Sequence, residues 1–251
     1  METIIVKIWT ESLHDFDQNV KVEKMINDIA ALMSAKVRVI LVSSWAVWEG
    51  KKIHDKIESE ALLASIWQPI LFEKYRQKFA KLRISAAQFL PAHAQIEDDS
   101  CYRQMAYDTI SSALECWIIP IVNENDPFSS YEMNALRRGA DNDKNALLMA
   151  HLFHAKSIIL ITNENGVYAD FPNTESRLPI IRGPQITDEY IRTLCSGKSS
   201  SGTGGMQSKL EIWREASKKD IRTNICDWIT TGVLEHSDQR YRGEKWGTLI
   251  I

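Results

Sequence analysis

Short runs of β-branched and apolar residues recur along the chain, separated by longer stretches whose apolar positions return at helical spacing. The short runs are Thr3 to Ile8 (TIIVKI), Val37 to Ser44 (VRVILVSS), Ile84 to Leu90, Ile118 to Val122, Ser157 to Thr162 (SIILIT) and Ile221 to Cys226. Each predicts a buried strand. Between them, Val20 to Met33, residues 56 to 79, Asp98 to Glu115, Ala146 to Phe153, Thr187 to Leu194 and Met206 to Ser217 predict helices. The stretch 56 to 79 is expected to break near Pro69. Thr187 or Asp188 is expected to cap the helix that follows. Residues 172 to 185, with Pro172, Pro179 and Pro184, read as loop, and the tail through Leu249 as an edge strand or hairpin. Strand and helix alternate throughout. That order predicts an α/β fold, a three-layer α/β/α sandwich around a central, mainly parallel sheet. No internal repeat or linker interrupts it, so residues 1 to 251 read as a single domain.

The polar residues at the strand ends carry the candidate chemistry, because in such sheets ligands bind beyond the carboxyl ends of the strands. The run Ile118 to Val122 stops abruptly at Asn123-Glu124-Asn125-Asp126. A second cluster, Asp141-Asn142-Asp143, precedes the apolar run from Ala146. A turn and an N-cap explain either cluster taken alone. Together, at a strand end and a helix start, they suit the capture of a small zwitterion: carboxylates take an ammonium, and amides take either end. Lys7, near the end of the first run, is a strand-end surface charge or a phosphate contact.

Ser196 to Gly205 (SGKSSSGTGG) is the one run of small residues, and it opens the helix that carries Lys209. Glycines let backbone N–H groups approach an anion, a helix N-terminus adds positive potential, and a lysine adds charge. A flexible loop before a helix is the plainer alternative. The run does not match GxxxxGK[ST]. Two lysines, a glycine loop and acidic groups meet the needs of phosphoryl transfer without a nucleophilic side chain. His151 and His154 read as ordinary helix packing.

Composition narrows the classes. The chain has 251 residues, 44% hydrophobic and 25% charged, with net charge −3. It has no basic excess for nucleic acid and no apolar run of the roughly 18 residues a membrane span needs. A cytoplasmic location follows by default. Cys101, Cys116, Cys195 and Cys226 lack CxxC spacing and read as reduced, mostly buried thiols.

Over about residues 4 to 250 the chain resembles the amino-acid kinases, and among them the glutamate 5-kinases. PIVNEND (120–126), ADND (140–143) and GTGGMQSKL (202–210) carry the resemblance, in the family's order. VKIWTESL (6–13), VSSWAVWEG (42–50) and IWQP (66–69) resemble its N-terminal motifs. The resemblance implies ATP-dependent phosphorylation of the γ-carboxylate of L-glutamate, with Mg²⁺, as the first step toward proline. Lys7 and Lys209 would flank the transferred phosphoryl, and Asp143 would orient both. Ser44, Asp126 and Asn142 would hold glutamate. Thr162 and Asn163 would lie near the nucleotide, and Thr203, Gly204, Gly205, Met206, Gln207, Ser208 and Lys209 would wrap its phosphates. No protein-held metal is implied. The resemblance also implies a homo-oligomer, dimer or tetramer, proline as a feedback inhibitor, and a form lacking the C-terminal RNA-binding-like domain of some relatives. The alternatives are a kinase for N-acetylglutamate or aspartate, and a catalytically dead amino-acid sensor.

The chain departs from the family in three ways, one of them a loop from Asp126 to Asp141 that is longer than usual. An acidic TDxDG motif is here Thr162-Asn163-Glu164-Asn165-Gly166. Seven Trp residues (9, 45, 48, 67, 117, 228 and 246) stand where the family tends to have glycine, and Trp213 stands at a small-residue position. Glycine numbers only 11, where the usual share gives about 18; adding the 8 Trp closes the gap. We therefore expect that UGA codons meaning glycine were translated as tryptophan. Genuine Trp would instead imply a remodelled, inactive site.

Overall fold

The computed structural model describes residues 1–8, 16–43, 50–51, 53–92, 96–97, 99–127, 142–170, 172–195, 206–227 and 247–251, excepting the side chains of 195 and 206–209. Its elements, in chain order, are β1 (Thr3–Ile8), α1 (Val20–Ser34), β2 (Arg38–Val42), α2 (Glu60–Lys81), β3 (Ala86–Phe89), α3 (Ser100–Glu115), β4 (Ile119–Val122), α4 (Asn142–Leu152), β5 (Ser157–Ile161), β6 (Val167–Tyr168), β7 (Arg177–Leu178), β8 (Ile180–Ile181), α5 (Asp188–Cys195), α6 (Met206–Ser217), β9 (Arg222–Cys226) and β10 (Thr248–Ile250). Eight strands form one sheet in the order β3-β4-β2-β1-β5-β9-β10-β8, and β6 and β7 form a small hairpin. Every pairing in the large sheet is parallel except β9 with β10. This is the three-layer, mainly parallel sandwich that the strand–helix alternation predicts.

The parity of β1 sorts the two outer layers. Ile4, Val6 and Ile8 point into a core with α1 and α2, where Val22, Ile26, Ile29, Leu71, Tyr75 and Phe79 are buried. Ile5 points the other way, into a core built with α3, α4, α5 and α6. Lys7 has the parity of Ile5, so its stem enters the α4 side of the sheet.

Five helices that lead into sheet strands end on a residue with positive φ: Lys36, Arg83, Trp117, His154 and Asp220. In each case the next residue's N–H bonds back to a carbonyl of the last helical turn, as in Val37 to Leu32 and Ile118 to Ala113. Glycine usually fills this left-handed position. None of the five is glycine.

Several expectations are corrected. Helix α2 runs without a break through Pro69; Pro69 and Ser65 both lie on its exposed side, where water can serve the Ser65 carbonyl that proline leaves without a donor. Residues 172 to 185 are not all loop, because they contain β7, β8 and two 3₁₀ turns. The tail strand β10 pairs antiparallel with β9, as a hairpin would, but it is not at the edge, because β8 pairs on its other side. Of the two caps expected for α5, Thr187 is borne out: its hydroxyl accepts from the Tyr190 N–H. Among the described thiols, Cys226 is buried but Cys101 and Cys116 are exposed, so the thiols are not mostly buried.

Candidate active site

The carboxyl ends of β1, β2 and β4 meet the start of α4. Lys7 is 5% exposed, so it is not a surface charge. It sits near the end of the central strand, opposite Val42 of β2 and Leu160 of β5. Its ammonium lies 2.5 Å from Oδ1 of Asp143, which is also buried. Asp143 belongs to the first turn of α4, where the unsatisfied N–H groups favour a carboxylate. An ion pair so thoroughly removed from water is costly to assemble and is poor evidence for stability in itself. Its place at the strand end is what gives it meaning.

The acid–amide cluster after β4 is equally buried. Asn123, Glu124 and Asp126 are each exposed by no more than 5%, as is Asn145 on α4. Asn145 Nδ2 donates to Glu124 Oε2 at 2.9 Å and to Asn142 Oδ1 at 3.2 Å. Gln68 of α2 donates through Nε2 to the Glu124 carbonyl at 2.5 Å and to Asp126 Oδ2 at 3.4 Å. The other oxygen of Asp126 has no partner among the described residues. Burial pushes the Asp126 carboxyl up to about 7, and the charges of Glu124 and Glu60 reinforce the shift. An acid held half-ionised near neutrality, with one buried oxygen presented, is suited to a ligand cation that would restore its charge.

At the end of β2, Ser43 shares a 2.9 Å hydrogen bond with the Tyr75 hydroxyl of α2. Burial drives the Tyr75 phenol well above its usual range, so it stays neutral. The Tyr75 ring meets Phe16 edge-on at 4.7 Å.

On the other side of β1, β5 leads into the buried Thr162, whose hydroxyl donates to the Glu164 carbonyl, and the exposed Asn163. Gly166 turns the chain with φ of 117°; a Cβ there would come within 2.6 Å of the Thr248 hydroxyl, so this position needs glycine.

Of the residues selected from the sequence, the structure brings Lys7 to Asp143 and places Asp126 and Asn142 in one buried hydrogen-bonded cluster. Met206, Gln207, Ser208 and Lys209 open α6, which has the helix start expected after the glycine run, but their side chains are not described. Ser44, Thr203, Gly204 and Gly205 lie outside the described residues, as do Trp9, Trp45, Trp48, Trp228 and Trp246. Sequence reasoning had Glu124 in the acid–amide cluster but gave it no role, and it missed Gln68 and Asn145. Gln68 and Glu124 lie within motifs already singled out, and Asn145 is one helical turn beyond Asn142, so spacing alone could have flagged it. Among the described residues no three His, Cys, Asp or Glu side chains are grouped to hold a metal ion, and no helix is long and apolar enough to cross a membrane.

Residues 2–227 match the family model described as the amino acid kinase family. The chain is 32% identical to a glutamate 5-kinase of Haemophilus influenzae, covering all of this chain and 68% of that protein. It is 29% identical to the glutamate 5-kinase of Hydrogenovibrio crunogenus, covering 98% of this chain and 66% of that protein. The chain thus spans about two thirds of the length of the curated relatives it matches. Among solved structures it is similar to a carbamate kinase of Giardia lamblia bound to AMP-PNP, with TM-score 0.66, 13% identity, and coverage of 100% of this chain and 98% of that one. It is also similar to the uridylate kinase of Archaeoglobus fulgidus, with TM-score 0.59, 15% identity and full coverage of both chains.

Proposed function

This chain belongs to the amino acid kinase family, and from that premise we propose that it transfers the terminal phosphoryl of ATP to the γ-carboxylate of L-glutamate. The product is glutamyl 5-phosphate, and the step is the first toward proline. The observation that carries the reading is the buried pairing of Lys7 with Asp143 at the end of the central strand, beside a cluster that presents an unpartnered Asp126 oxygen. One half of the site suits a phosphoryl group and the other an ammonium.

In this reading Asp126 takes the α-ammonium of glutamate, with Asn142 and Ser44 holding the rest of its polar groups. The γ-carboxylate is itself the nucleophile, so no base has to be generated. Lys7 meets the transferring phosphoryl from the acceptor side, and Lys209, at the start of α6, meets it from the other. Asp143 keeps the ammonium of Lys7 aimed at the position where anionic charge develops. Thr162 and Asn163 border the nucleotide, and the segment from Thr203 to Lys209 wraps its phosphates. The AMP-PNP-bound neighbour supports ATP as the donor. Mg²⁺ would accompany the nucleotide, since this cation keeps several waters and pairs with substrate phosphates. A single kinase domain over 1–251, assembled as a dimer or tetramer, working in the cytoplasm and inhibited by proline, completes the proposal.

An ATP-dependent hydroxamate assay with L-glutamate, aspartate and N-acetylglutamate tests it. Product with glutamate alone is expected. Product with another acid instead overturns the substrate, and glutamate binding without any product turns the reading into that of a sensor.

A further inference from the structure

Helix α2 contributes two buried polar side chains to the strand ends, Gln68 and Tyr75, seven residues apart on one face. Tyr75 reaches β2; Gln68 reaches the segment after β4. Gln68 is 3% exposed, and a primary amide seldom goes into a core unless its hydrogen bonds are met there. Its shorter bond, to the backbone carbonyl of Glu124, fixes the amide plane. Its longer one reaches Oδ2 of Asp126. Of the two Asp126 oxygens, one therefore faces an N–H donor and the other has no partner among the described residues.

From this geometry we infer that Gln68 is a positioning residue for substrate recognition: it holds Oδ2 of Asp126 so that Oδ1 is presented to the α-ammonium of the amino-acid substrate. The inference rests on the reading of Asp126 as the ammonium site. It does not follow from the acid alone. A carboxylate free to rotate would have both oxygens available, and one crowded by Glu124 and Glu60, the charged groups that act on it, would gain from taking a proton in place of a ligand. A neutral N–H donor counters both tendencies. It lowers the cost of the ionised form without competing as a cation for the site. Lysine or arginine there would neutralise Asp126 permanently, and glutamate would add a third carboxylate. Gln68 therefore tunes which compounds bind, favouring those with a free amino group, and acts on no atom of the transferred phosphoryl.

The experiment compares wild-type protein with Gln68→Met, which keeps the side chain's length and removes the donor, and with Gln68→Glu, which keeps its shape and reverses its character. Kinetics are measured with L-glutamate and ATP, and glutarate, which lacks the amino group, is measured as a competitive inhibitor. Gln68→Met is expected to raise KM for glutamate about tenfold, in the range for losing a hydrogen bond to a charged group. The turnover number, KM for ATP and Ki for glutarate should stay within about twofold. Gln68→Glu should raise KM for glutamate at least as far. Equal shifts for glutamate and glutarate, or no shift for either, overturn the inference while leaving glutamate phosphorylation standing. A wild-type enzyme that makes no glutamyl phosphate overturns both. If Gln68→Met does not fold, Gln68→Glu with the same glutamate-to-glutarate comparison decides.

Discussion

Lys7 and Asp143, 136 positions apart in the chain, meet at 2.5 Å inside the protein, one near the end of the central strand and the other in the first turn of α4. Neither residue can be altered alone without leaving an uncompensated charge away from water. Asp143→Ala should cost about 3–5 kcal/mol of stability, whereas the paired change Lys7→Met with Asp143→Leu should cost much less. Urea titrations of the two singles and the double close the cycle. If the double is as unstable as the singles combined, the two charges do not depend on one another.

Removing the lysines should separate chemistry from binding. Lys7→Ala and Lys209→Ala are each expected to lower turnover by on the order of 100-fold or more, as for loss of a preorganised charge contact. Glutamate affinity should move far less. Asp126→Ala should do the reverse, weakening glutamate chiefly through KM. An intact turnover number in Lys209→Ala would remove the glycine run and α6 from the nucleotide site.

Asp126 makes binding and stability respond to pH in opposite directions. Its carboxyl titrates near 7 in the folded protein against 3.8 ordinarily, so the folded state holds a proton between those values that the unfolded state has lost. That contribution to stability is present in full at low pH and falls away as pH rises from about 4 to 7. Glutamate binding needs the ionised form, so KM for glutamate should fall as pH rises toward 7 and level off above it. Calorimetry in two buffers of different ionisation enthalpy should show proton release on binding at pH 6 and little at pH 8. Equal proton counts at both would mean that Asp126 does not meet the ammonium.

The buried hydroxyl pair Ser43–Tyr75 predicts a smaller, local effect. Tyr75→Phe removes one partner and should cost about 1–2 kcal/mol, read as a lowered melting temperature. Because Ser43 immediately precedes Ser44, glutamate KM should rise with it. A lower melting temperature with unaltered KM would confine Tyr75 to packing.

Much of the fold was legible because both periods were clean. The short β-branched runs TIIVKI and SIILIT favoured buried strands, and the apolar spacing of Val20 to Met33 a helix. The acid–amide clusters were legible as a site because two of them bordered one loop. What escaped was long-range. Nothing local reveals that Gln68, on a helix with an internal proline, reaches the segment after β4, nor that Lys7 is buried and not at the surface. Those facts belong to the parity of β1 and the way α2 lies across the strand ends. The edge reading of the tail failed for a similar reason: whether Thr248 to Ile250 is an edge depends on β8, whose two residues are too few to read as a strand.

The tryptophans test whether the sequence is read in the right code. Each described one fits its surroundings imperfectly. Trp117 occupies a left-handed position with φ of 57°, where a side chain costs about 1–2 kcal/mol and glycine nothing. Trp67 and Trp213 bury an indole N–H with no partner among the described residues, although a buried Trp usually finds one. The Trp67 ring otherwise fills the space that Gly50 leaves free, its ring carbon 2.6 Å from the place a Cβ would take. Lys36, Arg83, His154 and Asp220 show that this fold tolerates side chains at other left-handed positions, so Trp117 alone decides nothing, and Trp213 is wholly buried in the second core, as a genuine Trp would be. The codons separate the two explanations. UGA at all eight positions should be accompanied by native peptides with glycine at Trp117 and Trp213 in the mass spectrum, and by an all-glycine recombinant form that binds ATP more tightly than the tryptophan form. UGG at these positions would end the recoding hypothesis. The chain would then carry real indoles at positions 9 and 45, close in sequence to Lys7 and Ser44, and the hydroxamate assay should give no product while calorimetry shows glutamate bound.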